Sequence, residues 1–223
     1  MPGGRKGAGP ARAPGVHVQI EGWYLTAWPP FSPAPRPRQV AVVKHWAKRR
    51  SVNDPYRGTL SSYCYVLMCI HHLQRRAPPV LPTLQALPPT FTATVGPWVA
   101  AYCDDRDALR GFGAPNGERL SDLVWAFFEH WAWRHDYARD VVSVRTGATL
   151  SKDAKDWTRR IGSERHLLCV EDPFELSHDL GRTVDRQTRG VLHKEFIRAA
   201  TLLRDAADPL AALFAPYRAG AKG

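Results

Sequence analysis

From Val40 to His72 the chain reads VAVVKHWAKRRSVNDPYRGTLSSYCYVLMCIHH, and this stretch constrains the fold more than any other. Val42, Val43, Trp46 and Ala47 recur at helical spacing and form one apolar stripe. Lys44 and Lys48 lie one turn apart on another face. Like charges at that spacing repel by about 0.2–0.5 kcal/mol, so the pair is better tolerated with an anion between them. The run Asn53-Asp54-Pro55-Tyr56-Arg57-Gly58 stops the helix, because Pro55 disfavours helical geometry at Asp54. Thr59 or Ser61 then caps a second helix. The free N–H groups at its start, with Ser62, suit a phosphate. Tyr63 offers a ring on which a base can stack; it also continues the stripe Leu60, Tyr63, Leu67, Ile70, which suits a place in the core.

The totals bound the rest. A chain of 223 residues is long enough for one domain or somewhat more, with a sizeable core. The formal charge is +10 with eight tryptophans and seven tyrosines, a balance that suits a polyanionic partner. Cys64, Cys69, Cys103 and Cys169 are scattered with no CxxC pair. They read as buried reduced thiols, which favours a cytoplasmic or nuclear setting over a secreted one. The longest apolar run, Tyr63 to Ile70, is far too short to span a membrane, and no signal-peptide core is visible.

Taken in order, residues 1–39 hold eight Pro and six Gly without periodicity and read as a disordered, basic arm. Its change into patterned helix at Val40 is abrupt. A nucleotide-binding helical domain is expected over 40–205, and a flexible tail over 206–223. Within the domain, residues 83–117 read as irregular, with an acidic, solvated cluster at Asp104, Asp105 and Asp107. Ser121 is expected to cap a helix running to Trp133. Asp140–Arg145 and His166–Val170 read as short strands, and Glu171–Arg182 as a polar loop. Gly190 to Arg204 forms the last predicted helix. The fold class is therefore mainly α with a small β element.

Three separated blocks, Lys44–Met68, His135–Arg145 and Cys169–Val184, resemble in order and spacing the terminal uridylyltransferases and the related cytoplasmic poly(A) RNA polymerases. The resemblance covers about residues 40–205. It implies a helical lobe like the substrate-binding domain of poly(A) polymerases, with a PAP-associated, base-recognising segment at about 120–185. On this likeness Lys44 and Lys48 match triphosphate-binding lysines. Ser62 and Tyr63 match a Ser-Tyr pair whose hydroxyl reaches phosphate and whose ring stacks under the nucleobase. Asp172 and His178 match the loop that reads the base: uracil offers one N–H donor and two carbonyl acceptors, so a carboxylate and a donor suit it. A histidine at His178 resembles the mark of uridylyl transfer, since an imidazole there crowds a purine. Arg182 then holds the loop or touches RNA.

The same resemblance implies Mg²⁺ or Mn²⁺ and UTP in the complete enzyme, with metals held by a Gly-Ser and Asp-x-Asp palm ahead of the Lys44 helix. The 39 residues before Val40 contain one acid, Glu21, and no Asn. The expectation is that the palm is missing from this chain, that no metal site is present, and that activity alone is absent. The expected partners are a nucleoside triphosphate, an RNA 3′ end and a palm domain, with no membrane. Three functions follow: the UTP-recognition part of an RNA 3′-uridylyltransferase, the same lobe serving ATP, or a non-catalytic nucleotide- or RNA-binding protein.

Overall fold

A computed structural model describes residues 38–162 and 164–217. The basic arm expected over 1–39 falls almost wholly outside them.

Helix α1 (Arg38–Arg49) buries Val40, Val43, Trp46 and Ala47, the predicted stripe, while Val42 sits at its margin. It ends earlier than the proline predicts. Ser51 adopts a left-handed φ of 58°, Ser51 N–H donates to the Lys48 carbonyl and Val52 N–H to that of Ala47. This pair of bonds closes the helix as a Schellman motif, with serine where glycine is usual. Asp54 then caps a single 3₁₀ turn, Pro55–Arg57, which Gly58 terminates at a φ of 78°.

Helix α2 (Ser62–Gln74) is capped by Ser61, whose Oγ accepts the Cys64 N–H at 3.1 Å. Every residue from Cys64 to Gln74 is buried. A helix buried on all sides belongs at the centre of a bundle: α1 and α3 (Leu120–Glu129) pack on it and on each other, and α4 (Arg186–Asp205) packs on α3 and, through Phe196, on Trp46 of α1. Trp46 is the aromatic hub: its ring lies 4.8 Å from Phe128, 5.3 Å from Phe196 and 6.0 Å from Tyr65.

Several sequence expectations need correction. Helix α3 starts at Leu120, with Arg119 in the capping position; Asp122, not Ser121, closes its first turn by accepting the Arg119 N–H. The helix then widens into a π turn at His130–Arg134. Residues 83–117 are not all irregular, because β1 (Phe91–Val95) and β2 (Trp98–Tyr102) form an antiparallel hairpin. Its connecting Gly96-Pro97 lacks the Asn-Gly or Asp-Gly signature of a tight hairpin. The stretch after Ala206 does not simply fray: α5 (Pro209–Leu213) docks with Leu213 fully buried. Arg49 and Tyr217 fasten it, through Arg49 Nε to the Phe214 carbonyl and Tyr217 N–H to the Arg49 carbonyl. Nearby, Arg50 forms a buried two-pronged ion pair with Glu195, both arms at 2.8 Å.

Both expected strands are present but shorter, covering three residues of 140–145 and two of 166–170. β3 (Asp140–Val142) lies between β4 (Thr149–Ser151), which pairs antiparallel, and β5 (Cys169–Val170), which pairs parallel. This small sheet delivers the chain from β5 into the polar loop.

Burial pushes the His71 imidazole down to about 3, and holds His72 and His135 well below the ordinary range. Such histidines stay neutral in the fold and take up protons on unfolding below about pH 6.5, so their contribution is complete above that pH and is lost as pH falls toward the folded value. Denaturant titrations are expected to show stability falling between pH 7 and pH 5 by roughly 2 kcal/mol for each such histidine. His71→Asn should reduce the slope by about one proton; an unchanged slope would show that His71 does not titrate on unfolding.

Candidate nucleotide-recognition site

Two chain segments meet here. The first is the corner between α1 and α2; the second is the loop between β5 and α4. Cys64 Sγ donates to the Leu180 carbonyl at 3.2 Å, and Thr183 Oγ donates to the Thr59 carbonyl at 2.9 Å. These bonds set the start of α2, which carries Ser62 and Tyr63, beside the loop that carries His178 and Arg182.

Lys44 is half-buried and Lys48 exposed on α1, and neither forms an ion pair among the described residues. Ser62 donates its hydroxyl to Asn53 Oδ1 at 2.8 Å, while Asn53 Nδ2 holds the Leu60 carbonyl at 3.0 Å. Asn53 therefore positions Ser62, a role invisible in sequence because the two residues meet only once the corner is closed. To reach an anion the Ser62 hydroxyl has to leave Asn53, exchanging one hydrogen bond for another at about 1 kcal/mol. Tyr63 is half-buried and packs against the main core, so the core and ring readings coexist in one side chain.

Three acids shape the loop. Asp172 is buried, and its Oδ1 accepts the N–H groups of Phe174 and Glu175 at 2.9 and 3.0 Å. Its own N–H donates to the His178 carbonyl at 3.1 Å, and His178 N–H donates to the Glu175 carbonyl. Asp172 and His178 are thus brought together in one closed turn. Burial, with a lesser push from the Arg182 charge, lowers the His178 pKa below the ordinary imidazole value.

Glu171 and Asp179, unremarked as site residues in the sequence, are fully buried. Glu171 receives Ser143 Oγ at 2.6 Å, Lys155 Nζ at 2.7 Å and the Arg145 guanidinium at 3.3 Å. Burial alone would raise its pKa, but the hydrogen bonds from Lys155, Ser143 and Arg145 outweigh that and hold it below the usual carboxylate range. Asp179 accepts the N–H groups of Val170 and Gly181 at 3.1 and 2.8 Å, and His166 Nδ1 lies 2.9 Å from its other oxygen. The acidic spacing Glu171-Asp172 and Asp179 was legible; that all three point inward was not.

The geometry defines a helical lobe that sets a polar loop, closed on three buried acids, beside a Ser-Tyr helix start. A family model described as "Cid1 family poly A polymerase" matches residues 119–178. Poly(A) RNA polymerase cid13 of Schizosaccharomyces pombe is 42% identical over 174 residues, covering 76% of this chain and 29% of that protein. Terminal uridylyltransferase cid1 of the same yeast is 35% identical, over 77% of this chain and 44% of the relative. Among solved structures, a cytoplasmic RNA terminal U-transferase superposes with a TM-score of 0.74 at 36% identity, over 81% of this chain and 57% of that one. A Cid1 complex with the UTP analogue UMPNPP gives 0.72 at 36% identity, over 80% of this chain and 55% of that one. The chain belongs to the Cid1-type family of terminal uridylyltransferases and poly(A) RNA polymerases. It spans less than half the length of these two curated relatives.

Magnesium with a nucleotide is present in a related Cid1 structure. Among the described residues, the one grouping of three or more metal-ligating side chains is His166, Cys169 and Asp179. It does not fit Mg²⁺, which takes oxygen ligands. Burial drives the Cys169 thiol pKa up, and both Asp179 oxygens are already bonded. The Asp104–Asp107 cluster is spent locally: Asp104 accepts Thr90 Oγ, Asp105 caps the N–H groups of Asp107 and Ala108, and Asp107 pairs with Arg110. Among the described residues, no helix is long and apolar enough to cross a membrane.

A Cβ built on Gly181 would stand 1.8 Å from the Leu168 carbonyl oxygen, a backbone atom that cannot rotate away. Gly181→Ala is expected to cost several kcal/mol, among the largest single-residue effects. Thermal melts with hydrogen exchange across 168–182 would show it; an unchanged melt would mean that the loop is not held this closely.

Proposed function

We propose that this chain is the nucleotide-recognition lobe of an RNA 3′-terminal nucleotidyltransferase that selects UTP. The observation carrying this reading is that Asp172 and His178 are closed into one turn of the loop whose Leu180 and Thr183 are bonded to Cys64 and Thr59 at the start of α2. Tyr63 supplies the face on which the base stacks. His178 donates to a uracil carbonyl. Asp172 accepts the uracil N3–H. Lys44, Lys48 and Ser62 hold the triphosphate, with Asn53 releasing the Ser62 hydroxyl as the anion arrives. Arg182 contacts the loop and the incoming RNA.

In this reading the lobe works against a palm domain whose carboxylates hold Mg²⁺ or Mn²⁺, outside the residues described here. Reaction at the RNA 3′ end belongs to that assembly. The four cysteines, buried and in no disulfide, support work in the cytoplasm, with the nucleus as the second compartment. A second reading, ATP in place of UTP, is favoured by the higher identity to a poly(A) RNA polymerase.

Calorimetric titration of the purified chain decides between them. Tighter binding of UTP than of ATP is expected, and Tyr63→Ala should weaken it by about tenfold, the scale of one lost base–aromatic stack. In a protein joined to a palm, His178→Asn should relax preference toward ATP. Equal affinity for the two nucleotides, or an unchanged preference in His178→Asn, would overturn the uridylyl reading.

A further inference from the structure

Next to the base-reading loop, the turn at Pro55–Gly58, the residues Thr158, Arg160, Arg165 and Leu167, and the start of α4 border two grooves that meet at Arg165 and Asp185. Five arginines line them: Arg57, Arg160, Arg165, Arg182 and Arg186. The acid in the lining, Asp185, is committed to the α4 cap, where it accepts the Thr188 N–H at 2.8 Å. Asp54 and Glu164 stand at the margin, 3.5 Å from Arg57 and 3.4 Å from Arg182. Counting all three acids, the grooves keep a surplus of two positive charges, and Arg165 and Arg186 enter no ion pair among the described residues. Tyr56, on the same rim, exposes its whole ring to solvent.

These features select a ligand. Guanidinium groups recognise phosphate by paired N–H donors, and spreading five of them along open grooves suits a chain of phosphates better than one. An unburied tyrosine ring is a stacking platform for a base, which a single strand offers and a duplex does not. The grooves also join the site described above. Gly58 lies against Asp185 and Thr188, and Thr183 is bonded to Thr59, so the turn carrying Tyr56 and the α4 start form one wall. Arg182 lines this wall four residues from His178 in sequence.

We infer that the joined grooves are the track for the single-stranded RNA segment leading to the 3′ end, with the arginines on successive phosphates and a base stacked on Tyr56. This rests on the reading of the lobe as part of an RNA 3′-end enzyme, and it names where that RNA lies.

The test measures anisotropy of a labelled oligouridine of about 15 nucleotides on the full chain. Salt is varied between about 50 and 200 mM, and UTP calorimetry is run on the same samples. The double variant Arg165→Glu/Arg186→Glu should weaken RNA binding at least tenfold at low salt and reduce the salt slope by about 1.4, twice the single-strand value per phosphate contact. Tyr56→Ala should weaken binding about tenfold with the slope unchanged. Circular dichroism and UTP affinity should be unaltered in both, since all three positions are exposed and outside the nucleotide pocket. Unchanged RNA affinity and slope in a folded double variant would overturn the track and leave the basic arm as the RNA contact. No effect of Tyr56→Ala, with polyglutamate displacing RNA as readily as RNA itself, would overturn it in favour of an acidic polypeptide. RNA binding lost in the double variant with no UTP binding in any sample would uphold the track and sink the nucleotide reading alone.

Discussion

The Asp179 carboxylate is the contact on which the site depends. It sits in the interior and takes two backbone N–H donors, from Val170 at the end of β5 and from Gly181 just before α4. His166 approaches its second oxygen and stacks at 5.1 Å on Trp157. An ionised group is costly to bury unless its lone pairs are met by donors; here one side chain meets that demand with atoms from three separate segments. The loop between them has no regular ladder of its own, so its shape is inherited from this carboxylate. Gly181 lets the backbone come close enough to Leu168 for the arrangement to close.

Glu171 and Asp172 complete the loop by different means. Glu171 is neutralised by Lys155 and Arg145, which draw the segments around β3 and β4 onto the loop. Lys155 also sits 4.7 Å over the Trp157 ring, so the same indole supports both halves of the network. Asp172 braces a tight turn by accepting two backbone N–H groups. The outcome is a polar loop with an ordered interior and an outer edge carrying His178 and Arg182. Preorganisation of this kind holds the side chains at the loop edge in one arrangement, because their backbone is fixed by buried hydrogen bonds.

Beneath the loop, α2 is a rigid base. Its burial from Cys64 to Gln74 leaves its first turn as the part able to meet a ligand. Trp46, Phe128 and Phe196 lock α1, α3 and α4 around it, and the Arg50–Glu195 pair fixes the far end of α1 against α4. A buried ion pair is weak evidence for stability but sets which side chains must face each other. The lysines of α1, the Ser-Tyr start of α2 and the loop ahead of α4 are therefore all mounted on elements whose mutual positions the aromatic core decides.

The sequence by itself determined the helical elements with strong periodicity: α1, α2 and α4 follow from apolar spacing. It also marked the residues of unusual chemistry near their ends, because Lys44, Lys48, Ser62, Tyr63, Asp172 and His178 fall in long, irregular blocks. Local boundaries were less legible. The Ser51 helix stop uses a left-handed conformation that serine does not announce, and Ser121 falls inside the first turn of α3, with Arg119 at the cap, because capping depends on where a helix starts. What only the tertiary structure decided was the use of each polar group. Asn53 takes the Ser62 hydroxyl, Glu171 and Asp179 turn inward, and arginines distant in sequence gather along one wall with Tyr56. Such pairings depend on which segments the core brings within about 3 Å of each other, the reach of a hydrogen bond, and no one-dimensional pattern encodes that distance.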